Sequence, residues 1–437
     1  MRFCILLLIG AVTAAAQTGA EDYQIYTEHP RLLLTSKRLR LLKRERERTS
    51  LRWNQFETLM RGKAEMSEPA FSRALYFQIT GDAPSGRSAV AAALLPGSDI
   101  RQTALVWDWC QPAMNDTERS QLRARLERSL KEPVSSFASA RDRVFAAIAI
   151  EDAAALRQVV AVWWRQNTAP ALRSGKTALQ HADLYPFMEI AHVLRDNLQI
   201  DIRDDIGEVF RNLALRRILS YYPAPYPAAE NEYHIPYGNI KGEPDLKLAS
   251  LTRAGELALV AYESNAQEMQ FLQGWLLNDR FNLRSVFGAP YEFLWGNPYQ
   301  PGLPYEKLPL FLHDARTGTL LVRSSWEDDA EWLGASGSSI QMFREGQIRP
   351  GPRDASTVIG ECMILSGPAD TREFRVAATA PEHWYLLGMK PSTSFDIETD
   401  DEEMTDGVSD RGGILSLAFQ RRAGQSVYVH EPRKIGE

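Results

Sequence analysis

Between residues 165 and 239 the chain gathers side chains able to hold an anion and move a proton. Arg165, Arg173 and Lys176 lead into Thr177-Ala-Leu-Gln-His-Ala-Asp183. Guanidinium groups can grip a carboxylate or sulfate through a bidentate fork. That cluster would suit a uronate or sulfated sugar; a solvated helix end is the plainer explanation. Further on, Glu232-Tyr-His-Ile-Pro-Tyr-Gly-Asn239 closes the polar, Pro-rich stretch Tyr222 to Pro236. The stretch reads as a loop over a cleft, and functional residues concentrate on such loops. A phenol placed there could act as general base or acid. Tyr237 could equally be a packing residue at a helix start, and His234 could simply line the same cleft. Gln180 and His181 also fit a helix-capping polar pair.

Other chemistry is less well served. Asp108, Asp183 and Glu232 are the carboxylates that could form a hydrolytic pair, which needs a defined separation that sequence cannot give. Trp107, Trp109, Trp163 and Trp164 could stack on sugar rings, although core packing suits most of them. There is no Walker or dinucleotide loop and no His-Glu-x-x-His motif. Gly337-Ser-Ser339 lacks the nucleophile-elbow pattern. No cofactor is expected.

Four segments resemble the heparinase II/III-like polysaccharide lyases. They are His29-Pro-Arg-Leu-Leu-Leu-Thr35, Ala104-Leu-Val-Trp-Asp-Trp109, Tyr237-Gly238, and Arg323-Ser-Ser-Trp-Glu-Asp-Asp-Ala-Glu-Trp332. The resemblance implies an N-terminal (α/α) toroid followed by an antiparallel β-sandwich-like domain. It also implies β-elimination on a uronate-containing glycan. A base removes the proton next to the carboxylate, and the 4-linked oxygen leaves. In that reading Tyr237 is base and acid, with Tyr233 as its substitute. His181 assists, Gln180 neutralises the substrate carboxylate, and Arg173, Lys176 and His234 contact substrate. The chain departs from the pattern after Trp332. The family's strands carry a Gly-His-x-His-x-Asp type segment there, whereas Leu333 to Gly346 holds no histidine. Only His383 and His430 of the seven histidines follow the Arg323 segment. No metal site is therefore expected, since zinc normally takes three or four such ligands. Two rival functions follow: a catalytically reduced glycan-binding relative, and a toroid glycoside hydrolase with paired carboxylates.

The elements that must position these residues change character along the chain. Arg2, the short apolar run Ile5 to Val12 and Ala14-Ala-Ala16 read as a signal peptide over 1–16. A periplasmic or secreted protein is expected. No later segment reaches the ~18 apolar residues of a membrane helix, so no membrane span is expected. A chain of 437 residues exceeds the ~250–300 that one core usually serves. Helical patterns fill 22–312. A capping signal at Asn115-Asp-Thr-Glu118 precedes Leu122, Leu126 and Leu130 at i, i+4 and i+8. Leu39 and Leu42 with the Arg/Lys/Glu run to Arg48 read as an exposed helix. Strand-like runs separated by Gly, Pro and Asp fill 313–437. They include Thr319–Trp326, Ser339–Phe343, Thr357–Leu365, Ile414–Phe419 and Ser426–His430. The acidic run Asp396 to Asp406 reads as a solvated loop. Cys110 and Cys362 read as buried free thiols. The formal charge of −6 argues against a nucleic-acid partner. It leaves room for a local basic cleft that takes an acidic polysaccharide or oligosaccharide.

Overall fold

Helix caps written in the sequence set the first two thirds of the chain. The computed structural model describes residues 23–225, 234, 236, 246–279, 285–297, 299–337, 339–351, 355–369, 371–400, 404–419 and 422–432. Thr35 accepts the Arg38 N–H and opens the Ser36–Glu47 helix. Asn115 and Glu118 form the expected reciprocal capping box and open Asp116–Ser129, which buries Leu122 and Leu126. The Ala-rich stretch is split. Phe137–Ile150 ends at Glu151 in a left-handed conformation, and Asp152 caps the next short helix. The 18-residue helix His181–Leu198 carries Gln180 at its N-cap and packs against Leu246–Tyr262 and Phe137–Ile150. One buried apolar cluster runs through the helical part from Tyr23 to Trp295.

Strands take over at Phe311. They are β1 (Phe311–Asp314), β2 (Thr319–Arg323), β3 (Trp332–Ser336), β4 (Ser339–Arg344), β5 (Gln347–Pro350), β6 (Ala355–Ile359) and β7 (Cys362–Ala369). There follow β8 (Thr371–Arg375), β9 (His383–Met389), β10 (Ser394–Thr399), β11 (Met404–Val408), β12 (Ile414–Leu417) and β13 (Ser426–His430). They form three sheets, ordered β1-β2-β3-β4-β5, β12-β9-β7-β6 and β11-β10-β13-β8. The order of helices first and mainly antiparallel sheets second is as expected. The sandwich is extended to three layers, and β7 pairs with β9 in parallel.

Side-chain alternation explains the stacking. In β9, Trp384 and Leu386 point into one core with Phe395, Ile397, Val427 and Val429. Tyr385 and Leu387 point into another with Leu320, Val322, Leu333 and Ala335. The middle sheet is thus apolar on both faces. Leu321, Trp332 and Phe343 use the opposite face of the first sheet to pack on Leu219 and Tyr222 of the helical part. The Trp332 indole donates to the Leu219 carbonyl at 2.7 Å. This is the join between helices and strands.

Two expectations are corrected. Thr357–Leu365 is not one strand but a β6–β7 hairpin, turning at Gly360-Glu361. The acidic run is not simply a loop: Asp396 to Thr399 belongs to β10, and Met404 onward to β11. Phe395 and Ile397 face the core, while Asp396 and Glu398 face outward.

Bare backbone closes part of the join. A Cβ on Gly175 would lie 1.9 Å from the Arg316 carbonyl oxygen, and a Cβ on Gly318 would lie 2.4 Å from the Gly412 nitrogen. Arg411 donates to the Ser174 carbonyl across the same seam at 3.0 Å.

Candidate functional site

Beside that seam the chain encloses a cleft of about 730 Å³. Gly175 to Ala182 and Leu184, with Leu248, contribute one side, and Arg216, Arg217 and Ser220 a second. Thr317, Thr319, Leu321, Ser336 and Arg411 contribute the sheet side. The three segments are far apart in sequence and converge because Trp332 and Tyr222 lock the first sheet onto the helices, their rings 5.0 Å apart.

Lys176, Gln180 and His181 lie together on this cleft. His181 is the first residue of its helix, where exposed N–H groups add partial positive charge. The Gln180 N–H donates to Asp183 Oδ2 at 3.1 Å, and its side-chain amide donates to Ala178 O at 3.2 Å. Asp183 therefore serves as a helix cap. Its half-buried carboxyl is raised above the usual range by burial, against the Gln180 hydrogen bond.

Sequence reading missed the other cations. Arg216, Arg217 and Arg411 join Lys176, and no carboxylate stands among the described lining residues. Arg217 is nearly buried and donates through Nε to Glu256 at 3.2 Å. Glu256, fully buried, also accepts from the Tyr221 hydroxyl at 2.7 Å. Burial and the Glu256 charge push that phenol upward. The Arg216-Arg217 doublet was the available signal, but nothing in a single sequence ties it to His181.

A smaller chamber of about 340 Å³ adjoins, sharing Thr177 to Leu179, Leu213, Arg216 and Thr317 with the cleft. Its carboxylates are engaged. Asp314 pairs with Arg216 and Arg316, each at 3.1 Å. Burial opposes its charge, but those guanidiniums hold the carboxyl below its usual value. Glu208 is exposed and lies 3.8 Å from Arg211.

The remaining sequence candidates are dispersed. Tyr237 and Tyr233 lie outside the described residues, as does Glu232. Arg173 does not line the cleft; its guanidinium donates to the Asp205 carbonyl. Arg165 pairs with Asp205 at 3.3 Å. His234 does not line the cleft either. Its ring faces Asp279 Oδ1 at 2.7 Å and the Pro223 carbonyl at 2.9 Å. A neutral ring donates to only one of those oxygens. Burial, with the Arg323 and Arg253 charges, nevertheless pulls its pKa down to about 4. Arg253 pairs with the same Asp279, and two ring nitrogens that both face oxygens are the geometry of a doubly donating ring, which burial opposes.

Of the stacking and hydrolytic candidates, Trp107, Trp109, Trp164 and Asp108 belong to the core, while Asp183 is half-buried at its helix start. Trp107, Trp109 and Trp164 are buried and bond to Ala149 O, Leu32 O and Asp205 Oδ2. Trp163 packs edge-on to Phe137. Asp108 is buried and accepts from the Arg31 and Leu32 N–H groups, both at 2.8 Å, with His29 Nδ1 at 2.5 Å. Among the described residues, no group of three or more His, Cys, Asp or Glu could hold a metal ion. No described helix is long and apolar enough to cross a membrane.

No family model matches the chain, and no curated protein matches it. Among solved structures, one described as a glycoside hydrolase aligns with a TM-score of 0.31 and 8% identity, over 84% of this chain and 71% of that one. At that level the likeness assigns no activity.

Proposed function

We propose that the cleft binds an acidic glycan and cleaves it by β-elimination. The carrying observation is its lining: Lys176, Arg216, Arg217 and Arg411 with His181, and no described carboxylate. Such a surface attracts polyanions and strengthens as water is excluded. It also supplies what the reaction needs most, neutralisation of a uronate carboxylate so that the adjacent proton can leave.

Tyr237 is the proposed base and acid. Pro236, its neighbour in sequence, bridges to Tyr221, which follows Ser220 on the cleft wall. The assignment itself rests on the Tyr237-Gly238 resemblance, since Tyr237 lies outside the described residues. A phenol has an unperturbed pKa of about 10, and nearby cations lower it. The phenolate takes the proton next to the carboxylate. The electron pair forms the new carbon–carbon double bond, and the 4-linked oxygen departs with the tyrosine proton. Gln180 holds the uronate, and the helical part is read as a toroid.

Hydrolysis by paired carboxylates is less favoured. It needs two carboxylates, one of them raised; Asp183 is raised, but no described carboxylate lines the cleft to partner it, Asp314 is held low and Asp108 is committed to backbone N–H groups. Full-length protein incubated with heparin, heparan sulfate, alginate, hyaluronan and chondroitin tests the reading. Ultraviolet absorbance from an unsaturated uronate, lost in Tyr237→Phe, supports it. New reducing ends without that absorbance would establish hydrolysis. Binding without either product would leave a glycan-binding protein.

A further inference from the structure

The helix that begins at His181 reaches a second cavity at its far end. Arg195 and Asp196 line this space of about 630 Å³. Arg195 follows His181 by fourteen residues, so the two ends stand ~21 Å apart at 1.5 Å per residue. The Leu246–Tyr262 helix repeats the division, with Leu248 on the cleft and Val260 on the second cavity.

The second cavity is strongly cationic. Lys37, Arg38, Arg44, Arg48, Arg52 and Arg195 line it, against only Glu45 and Asp196 among the described residues. Glu45 is held by Arg52 at 3.3 Å, and Asp196 by Arg195 at 3.4 Å. Lys37, Arg38, Arg44 and Arg48 remain in excess. Arg38 is the most constrained of them. Its guanidinium lies 4.2 Å over the Trp295 ring, donates to Leu33 O at 2.9 Å and meets His192 Nδ1 at 3.4 Å. Arg195 donates to the same nitrogen at 3.3 Å. Both guanidiniums thus point at one ring nitrogen, and of the two only Arg195 has a carboxylate partner among the residues of this cavity. Tyr299 stands on the rim, 64% exposed, with Asn297 and Gln300 beside it. An exposed aromatic face flanked by amides suits a sugar ring and its hydroxyls.

We infer that this cavity is a second, non-catalytic binding site for an anionic oligosaccharide. Lys37, Arg38, Arg44 and Arg48 meet its carboxylate or sulfate groups, and Tyr299 meets a ring face. The inference shares the acidic-glycan class of the proposed function but uses none of its residues. It also gives a role to Lys37, Arg38 and Arg44 of the Ser36–Glu47 helix, which the cleft does not use.

Titration calorimetry on the full chain tests it. The probes are a heparin-derived hexasaccharide, a galacturonate hexamer, maltohexaose and a short single-stranded oligonucleotide. The acidic hexasaccharides should bind two sites per chain, with affinity falling as salt rises. Sulfate and carboxylate as the recognised group are separated by comparing the first two probes. Arg44→Gln/Arg48→Gln, on an exposed helix face, should weaken one site about tenfold and leave the other unchanged. Tyr299→Ala should weaken that same site. Lys176→Gln/Arg411→Gln should weaken only the other. One site in the wild type, or no response to either the arginine or the Tyr299 variant, would overturn the inference. Equal binding of maltohexaose would remove its anionic basis, and tighter binding of the oligonucleotide its glycan basis. Two sites without any turnover would sink the lyase reading and preserve this one.

Discussion

Asp108 offers the sharpest division between a chemical and an architectural carboxylate. Its Oδ2 accepts two main-chain N–H groups, from Arg31 and Leu32, and its Oδ1 meets His29. The Arg31 guanidinium lies 3.8 Å away, and the whole assembly is shielded from water apart from part of His29. Asp108→Ala strands two buried donors, each costing about 1–3 kcal/mol, and leaves Arg31 only the partly exposed Glu151, at 3.0 Å, as counter-charge. The total expected is about 3–5 kcal/mol, the range for breaking a buried ion pair from one side. Asp108→Asn keeps an oxygen for both N–H groups but loses the charge, so about 1–2 kcal/mol is expected. Urea unfolding followed by tryptophan fluorescence measures both, and glycan binding under native conditions should be unchanged in Asp108→Asn. An alanine variant less than about 1 kcal/mol weaker, yet devoid of turnover, would refute the architectural role. It would also revive the hydrolase.

Other outcomes follow from burial and geometry. Burial, with Asp108 beside one and Glu361 beside the other, pushes the Cys110 and Cys362 thiols up to about 12. Neither should be alkylated by iodoacetamide at pH 8 in the native protein, and both should react in urea, as peptide mass spectrometry would show. Gly175→Ala should cost more than about 2 kcal/mol in urea unfolding, because φ is +68° and the new Cβ meets the Arg316 carbonyl. It should also weaken glycan binding. His192 is held well below its ordinary pKa by burial, then by Arg38 and Arg195, while Nε2 donates to Ala258 O at 2.9 Å. Below about pH 6.5 the unfolded chain binds a proton that the native ring refuses. This contribution to stability is therefore complete above that pH and declines as pH falls. Nitrogen NMR should show a neutral Nε2–H imidazole at pH 5.5, and a protonated ring there would contradict the structure.

What was legible in the sequence was local. Asn115 and Glu118 announce their helix because the capping box lies within four residues. Ser426–His430 is a strand by its own β-branched alternation. Trp384 to Leu387 is harder, since a strand covered on both faces loses the alternation that marks strands. The acidic run concealed β10 because its outward carboxylates dominate the composition, while only Phe395 and Ile397 report the buried face. In the site, Lys176, Gln180 and His181 could be grouped because they are neighbours in sequence. Arg216, Arg217 and Arg411 could not, because three-dimensional packing through Trp332 and Tyr222 brings them there. Arg173 resembles its neighbours in type, but its position turns it toward Asp205.

The bare-backbone seam has a bearing on how this protein can vary. At Gly175 against Arg316 and at Gly318 against Gly412, main chain meets main chain with no side chain between. A side-chain interface can absorb change, because a lost methyl in one residue can be refilled by another. Backbone contacts have no such reserve: any substitution adds at least one carbon where none fits. A saturation library screened for folding should therefore retain glycine at 175, 318 and 412 while admitting wide diversity at cleft positions such as Lys176 and Ser336, a few residues away. The side chains that line the cleft would be the freely explored quantity, and the distance between its walls the fixed one.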